Sequence, residues 1–270
     1  MFTSNPFATL SASVPAEFMQ GFVLLMLVLV AAGTLFEVVH KGSAKYFFQN
    51  WRNSRSKATT PLGGGGLVAI AVKTALVDVA ASGEFCNMRR RVAHLLTMYG
   101  FVLYVIATAV MVFDLSASGL VTQLWWLGGL MVLAGGYWFW FFIRVDVAAE
   151  GNSPLRVVYA DIFILSLLVS VTLGLIWAGA GGGAGVLFAL YVLTTAVLFG
   201  SVPWSKFAHM FFKPAAAFEK RVSNANGSAE NLPTLTRDDP EQQKRHSMEL
   251  LRDAPMDMGL GIKREAPRHY

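Results

Sequence analysis

His94 and His209 are the side chains whose type and setting could carry chemistry in this chain. His94 follows Arg89, Arg90 and Arg91 and opens an unbroken apolar run, Val92 to Phe113. His209 lies in Pro203-Trp204-Ser205-Lys206-Phe207-Ala208-His209, where another apolar run ends. An imidazole among apolar residues is costly, so it reads either as a ligand or proton-handling group, or as a ring satisfied by a backbone carbonyl. Two imidazoles from different helices at one depth could ligate a b-type haem from opposite faces, or hold a quinone headgroup by hydrogen bonds. Glu37 and His40, three residues apart, share one helical face. Asp161 stands about one turn into a further apolar run, placed to snorkel to an interface, relay protons or touch a quinone. No nucleophile–base arrangement, zinc spacing or Walker-type loop accompanies these groups. The single cysteine, Cys86, excludes a four-ligand iron–sulfur cluster within the chain and an intrachain disulfide.

The elements that would position these groups are membrane spans. With 54% hydrophobic and 14% charged residues and a mean hydropathy of +0.50, the chain does not have the composition of a soluble domain. About 22 residues at 1.5 Å each reach roughly 33 Å, enough for a hydrocarbon core of about 30 Å. Five segments qualify: Phe18–Val39, Val92–Phe113, Val121–Ile143, Val158–Ala178 and Val186–Trp204. Residues 1–17 form a short polar outer segment. Because Met1 to Ala16 lacks a basic region, the first helix is expected to be retained rather than cleaved as a signal. Residues 18–213 form the membrane domain.

Leu67–Phe85 is the ambiguous stretch, apolar yet carrying Lys73, Asp78 and Glu84. Read as an interfacial amphipathic helix, it leaves the basic loop 41–61 and Arg89–Arg91 on one side. All 22 Lys and Arg then fall on that side: nine in 40–91, two in 144–157 and eleven in 205–270. Such a bias is what the positive-inside rule requires. It predicts an all-α protein of the inner (cytoplasmic) membrane with its amino terminus outside and carboxyl terminus in the cytoplasm. Trp125 and Trp126 at the outer edge, and Trp138, Trp140 and Trp204 near the inner one, read as aromatic belts. The glycine-rich stretch 179–185 reads as a tight outer connector. Residues 214–270 carry nine basic and nine acidic side chains and few large apolar ones. They read as a largely disordered cytoplasmic tail, with Glu241–Asp253 as a short helix if it folds on a partner.

Three stretches carry a family resemblance: Arg90-Arg91-Val92-Ala93-His94-Leu95-Leu96-Thr97-Met98-Tyr99-Gly100-Phe101, then Tyr159-Ala160-Asp161-Ile162-Phe163 before Thr172-Leu173-Gly174, and Pro203 to His209. Over roughly Leu67 to Lys213 the chain resembles membrane subunits of quinone-interacting, heterodisulfide-reductase-like complexes and the nitrate reductase gamma subunit. With its short length and charged tail it is most similar to adenylylsulfate reductase membrane anchors. The resemblance implies a subunit that docks a cytoplasmic iron–sulfur flavoprotein and links it to the quinone pool in sulfite oxidation. That partner would dock on Arg89, Arg90, Arg91, Lys206 and Lys213. Haem-bearing relatives typically use four histidines, but Ala81–Ser82 lacks one and Tyr191 stands where another would be. One haem b would therefore need His94 with His209, or recruitment of His40. The alternatives are a haem b quinone oxidoreductase subunit and a small-solute transporter, whose broken helix would fall at Gly135-Gly136. No nucleic-acid partner is expected.

The topology is directly testable. A reporter fused after Tyr270, or placed in residues 52–60, is expected in the cytoplasm, whereas one inserted in residues 181–185 is expected to be exported. Export of the 52–60 reporter would turn Leu67–Phe85 into a span.

Overall fold

A computed structural model describes the chain apart from Met1, Lys41, Glu84, Cys86, Ala117 and residues 145–154, 159–160, 206–208 and 233–270. The described residues are helical, with no strand among them. Helix α1 is Pro6–Leu10, α2 is Ala16–His40 and α3 is Ser43–Ser56. Helix α4, Gly64–Lys73, runs on as a π-helical turn, Thr74–Ala80. Then come α5 (Met88–Val112), α6 (Gly119–Phe142), α7 (Ile162–Gly179), α8 (Val186–Gly200), a 3-10 turn (Val202–Trp204) and α9 (His209–Ala225).

Helices α2, α5, α6 and α7 are long and apolar enough to cross a membrane. The expected fifth span is helical for 15 residues as α8, about 22 Å, before the 3-10 turn lengthens it. The chain forms two compact units, residues 1–44 with 87–214, and 45–86 with 215–270.

In the first unit, α6 lies between α5 and α7, and two glycine pairs seven residues apart set its position. A Cβ on Gly128 would stand 2.7 Å from Tyr104 N, and one on Gly135 2.6 Å from the Ala93 carbonyl, both in α5. Their neighbours face the other way: Gly129 would meet Leu175 Cδ2 at 2.8 Å and Gly136 would meet Leu168 Cδ2 at 2.5 Å, both in α7. Across from them on α5, a Cβ on Gly100 would lie 2.7 Å from the Gly128 carbonyl oxygen. In lipid, where burial itself drives little association, such backbone proximity is the main source of helix–helix attraction. Helix α6 continues unbroken through Gly135-Gly136, so these residues pack rather than interrupt a helix.

The amino-terminal segment is folded rather than a loose polar lead. Asn5 caps α1 by accepting from Phe7 N, and its Nδ2 donates to the Met111 carbonyl at 3.1 Å. Gln20 Nε2 donates to the Val112 carbonyl at 3.3 Å. Both satisfy carbonyls that the end of α5 leaves without intrahelical partners. Phe7 inserts beneath, 6.4 Å edge-on from Trp125 and 5.2 Å from Trp177. This overturns the belt reading at that end: Trp125 is fully buried and Trp126 nearly so, because α1 covers them and Thr108 accepts from the Trp125 indole at 2.9 Å. Trp140 is buried as well, whereas Trp204 is exposed, as a belt residue would be.

The first part of the expected tail belongs to the second unit. Residues 214–225 continue α9, with Pro214 inside the helix, and the described residues run to Leu232. Its small polar side chains take partners on α3. Asn226 Nδ2 donates to Ser54 Oγ at 2.8 Å, Ser54 Oγ and Ser228 Oγ are 2.9 Å apart, and Ser223 Oγ donates to Ser54 Oγ at 3.2 Å. Trp51 stacks on Phe218 with centroids 5.7 Å apart. Arg221 grips Asp78 of the π-helical turn through both guanidinium edges, Nη2 donating to Oδ1 at 2.7 Å. Lys57 pairs with Glu230 at 2.7 Å, which holds the Glu230 carboxyl below its usual range. The segment is polar in composition, yet its hydrogen bonds are made internally. Glu241–Asp253 lies outside the described residues.

The glycine seam sets a stability expectation. Gly100→Leu and Gly128→Leu should each lower the thermal midpoint of the detergent-purified protein, since overpacking costs about 1–3 kcal/mol. Gly21→Ala, at a site with nothing within 4 Å, should leave the midpoint unchanged or raised. Equal midpoints across all three would show that α5 and α6 do not touch there.

Candidate functional site

At the end of the first unit where α5 begins, the described residues include only some of the predicted polar groups. Asn87 caps α5, its Oδ1 accepting from Arg89 N at 2.9 Å and Arg90 N at 3.3 Å. Arg89 and Arg90 are exposed and Arg91 is half-buried. Arg90 Nη2 reaches the Ile143 carbonyl at 3.5 Å, near the end of α6. His94 follows in the second turn, half-buried, beside a fully packed Ala93. The side chain of His209 and all of Lys206 lie outside the described residues, so the paired-imidazole expectation bears on His94 alone. Lys213 is exposed. Glu37 is buried, while His40 is exposed and stacks on Phe36 at 5.3 Å.

Asp161 has another task than relaying protons or snorkelling. It is buried, and Arg144 from the end of α6 grips it with Nε to Oδ1 at 3.0 Å and Nη2 to Oδ2 at 2.5 Å. Oδ2 also accepts from Val158 N at 2.9 Å. The guanidinium lies 4.0 Å from the centre of the Trp140 ring, and its Nη2 donates to the Arg156 carbonyl as well. Three of the carboxylate's roughly four acceptor directions are thereby engaged. The pair closes the connection between α6 and α7, so Asp161 is a structural anchor.

The geometry with chemical capacity lies toward the other end, beneath α1. Helices α2, α5, α7 and α8 enclose a cavity of about 320 Å³. Its walls are apolar except for Tyr104, Thr108, Ser170, Tyr191 and Thr195. Tyr104 donates its hydroxyl hydrogen bond to Tyr191 Oη at 3.1 Å. Tyr104 stacks on Trp125 at 4.9 Å and Tyr191 on Trp177 at 5.8 Å, which fixes both rings. Gly174 of α7 makes the pair possible: a Cβ there would collide with the Tyr104 hydroxyl and stand 2.9 Å from Tyr191 Cε2. Ser170 and Thr195 link α7 to α8 along the wall at 2.7 Å. Phe18 and Leu27 of α2, also lining the cavity, are exposed and mark its side opening. Such a slot accepts a flat apolar ligand and offers its polar edge two phenol hydroxyls.

Tyr191, which the resemblance sets where a haem-bearing relative would carry a histidine, lines this mostly apolar cavity and accepts from Tyr104. Tyr104 lies ten residues along α5 from His94, about 15 Å away, so the two belong to different depths. Sequence reasoning missed Tyr104 because one tyrosine in an apolar run looks like any core aromatic. The available signal was Thr108 one turn on, with Gly174 on a separate helix.

The ion pair yields a sharp expectation. Asp161→Asn should destabilise the purified protein by about 3–5 kcal/mol, the usual cost of stranding one partner of a buried pair. Arg144→Met combined with Asp161→Leu should recover part of that loss. A fully stable Asp161→Asn variant would mean that the pair does not hold this end together.

No known family model matches the chain, and no solved structure matches it. Among curated proteins it is similar to Citrate utilization protein B of Escherichia coli, with 29% identity over 163 residues. The match covers 55% of this chain and 43% of that protein, so the chain spans less than half the length of its relative.

Proposed function

We propose that this chain is a membrane subunit that binds a quinone in the Tyr104–Tyr191 cavity and ties a cytoplasmic iron–sulfur flavoprotein to the quinone pool. The cavity carries this reading. At about 320 Å³ it has the size of a small-ligand site, with apolar walls and a few convergent polar groups. Its residues suit a quinone: Phe101, Val105 and Phe188 would enclose the ring, and the Tyr191 hydroxyl, which accepts from Tyr104, would donate to a ring carbonyl. A bound quinone would supply the two-electron chemistry; the protein's part is to bind it, orient it and keep water out.

The membrane placement rests on α8 with its 3-10 turn as the fifth span, and on chain parity. Gln20, near the start of α2, meets Val112, the last residue of α5, so His40 and Met88 lie at one end of the bundle. Residues 41–87 therefore leave and return on one side, and a single apolar segment there cannot cross. This supports α4 and its π-helical turn as an interfacial element. Arg89–Arg91 at the head of α5 favour that side as cytoplasmic.

The resemblance makes the partner adenylylsulfate reductase, oxidising sulfite with AMP; this chain holds no group for sulfur or adenylate chemistry. Haem b is the second reading of the chain, at the other end of the bundle from the cavity, resting on His94 with His209 or on recruitment of His40. The relative's name brings a further reading, a component in the use of a carboxylate such as citrate. Against that, the cavity lining includes no Lys, Arg or His to meet a carboxylate.

Titration of the purified protein with a short-chain quinone tests the proposal through tryptophan fluorescence, since Trp125 and Trp177 stack on the two tyrosines. Saturable quenching is expected, with affinity about 2–10-fold weaker in Tyr104→Phe or Tyr191→Phe, the worth of one hydrogen bond. Quenching that is unsaturable and equal in all variants would overturn the quinone site. A stoichiometric b-haem spectrum, abolished by His94→Ala, would carry the second reading instead. Release of the soluble partner as ionic strength rises past about 0.1 M would support docking on the exposed Arg89, Arg90 and Lys213.

A further inference from the structure

Helix α3 follows α2 after only two residues, and Gly42, with a φ of +64°, makes the turn between them. Along it, residues 45, 48, 52 and 55 recur at helical spacing and form one stripe. Lys45, Arg52 and Arg55 on that stripe are exposed, with Phe48 among them 60% exposed. The helix contains no acidic residue. The flank beyond Arg55 is already occupied: Ser54 is buried in the serine–asparagine network and Trp51 stacks on Phe218 of α9. A surface stripe with a large aromatic exposed among three cations has left those groups for something outside the unit.

We infer that this face of α3 binds the anionic phospholipid headgroups of the leaflet through which α2 leaves the membrane. The inference rests on α2 being a span; it does not depend on the quinone. Beyond the hydrocarbon core, the headgroup layer is about 5–8 Å deep on each side. Lys45 follows the end of α2 by five residues, so the first turn of α3 begins within or beside that layer. Clustered Lys and Arg next to a span are drawn to anionic lipid, and aromatic side chains settle at headgroup depth. An acidic soluble protein would satisfy the three cations but would leave Phe48 without a matching apolar layer. The lipid surface satisfies both.

The test uses the full chain reconstituted in vesicles, with Cys86→Ser removing the native thiol and Gln49→Cys, on the same exposed face, carrying a polarity-sensitive fluorophore. Resistance to alkaline extraction first establishes that the spans are inserted; failure at that step would count against the membrane reading and remove the basis of this inference. In inserted protein, the label is expected to shift to shorter wavelength and be quenched by headgroup-region spin-labelled lipid in phosphatidylglycerol-containing vesicles. The shift should fall in pure phosphatidylcholine, and should be lost with Lys45→Gln, Arg52→Gln and Arg55→Gln combined while extraction resistance is unchanged. Emission that is identical in the two lipid mixtures, or that shifts only when an acidic soluble protein is added, would overturn it.

Discussion

Close backbone approach along α6 is the constraint on which the rest of the first unit depends. Lipid is as apolar as leucine, so helices in it gain little by burying leucine against leucine. What remains is contact, and contact is closest where no Cβ intervenes. Gly128 and Gly135 bring α5 within backbone distance, while Gly129 and Gly136, one position on, make room for the Leu175 and Leu168 side chains of α7. A pair of adjacent glycines points to two sides of a helix about 100° apart, and repeating it after seven residues aligns both seams along the axis. One helix thereby fixes two neighbours. The tyrosine pair exists because α5 and α7 are held this way, with Gly174 leaving the space that Tyr104 and Tyr191 fill.

The same solvent decides where polar groups can be placed. An unsatisfied polar group in hydrocarbon costs several kcal/mol, so those present must find each other. In the spans several do so in small sets: Trp125 with Thr108, Tyr137 with Thr172, Ser170 with Thr195 and Tyr104 with Tyr191. All but the last are spent on joining the wall together. Asp161, which looked like the strongest proton-handling candidate, belongs to this class as well, since Arg144 occupies it from both sides. A charge near a membrane edge is informative only once its partners are known, and sequence gives no partners at a separation of seventeen residues.

Much of the architecture was legible because periodicity and charge report directly on length and side. The four long spans fell close to the stretches that hydropathy marks, and the break between α5 and α6 was visible as a short stretch without Lys or Arg. What composition misjudged were segments held by hydrogen bonds rather than apolar area. Residues 1–16 cap the bundle through Asn5 and Phe7, and residues 214–232 fold through Ser223, Asn226 and Arg221. Both looked solvated because small polar residues carry no hydrophobic signal. The tryptophans misled for a related reason: an indole at a span end serves a lipid interface or a capped core equally well, and only α1 distinguishes them.

Helix α2 explains why the cavity lies where it does. Its buried residues, Met19, Met26, Gly33 and Glu37, recur at spacings of seven, seven and four, a single narrow seam on an otherwise lipid-facing helix. Two polar or close contacts pin that seam. Near its start Gln20 bonds the last carbonyl of α5, and two-thirds along Gly33 admits Val202, whose Cβ would stand 3.0 Å from a Cβ there. Between the pins α2 contributes Phe22, Val23, Met26, Leu27 and Val30, and these line the cavity instead of filling it. The gap is therefore bounded above and below by fixed points and at the side by a helix with little else to hold it. With Phe18 and Leu27 exposed on its flank, the approach that costs least is lateral, from hydrocarbon past α2. A ligand using it must be soluble in the bilayer and must carry its polar atoms at one end, to reach the hydroxyls of Tyr104 and Tyr191.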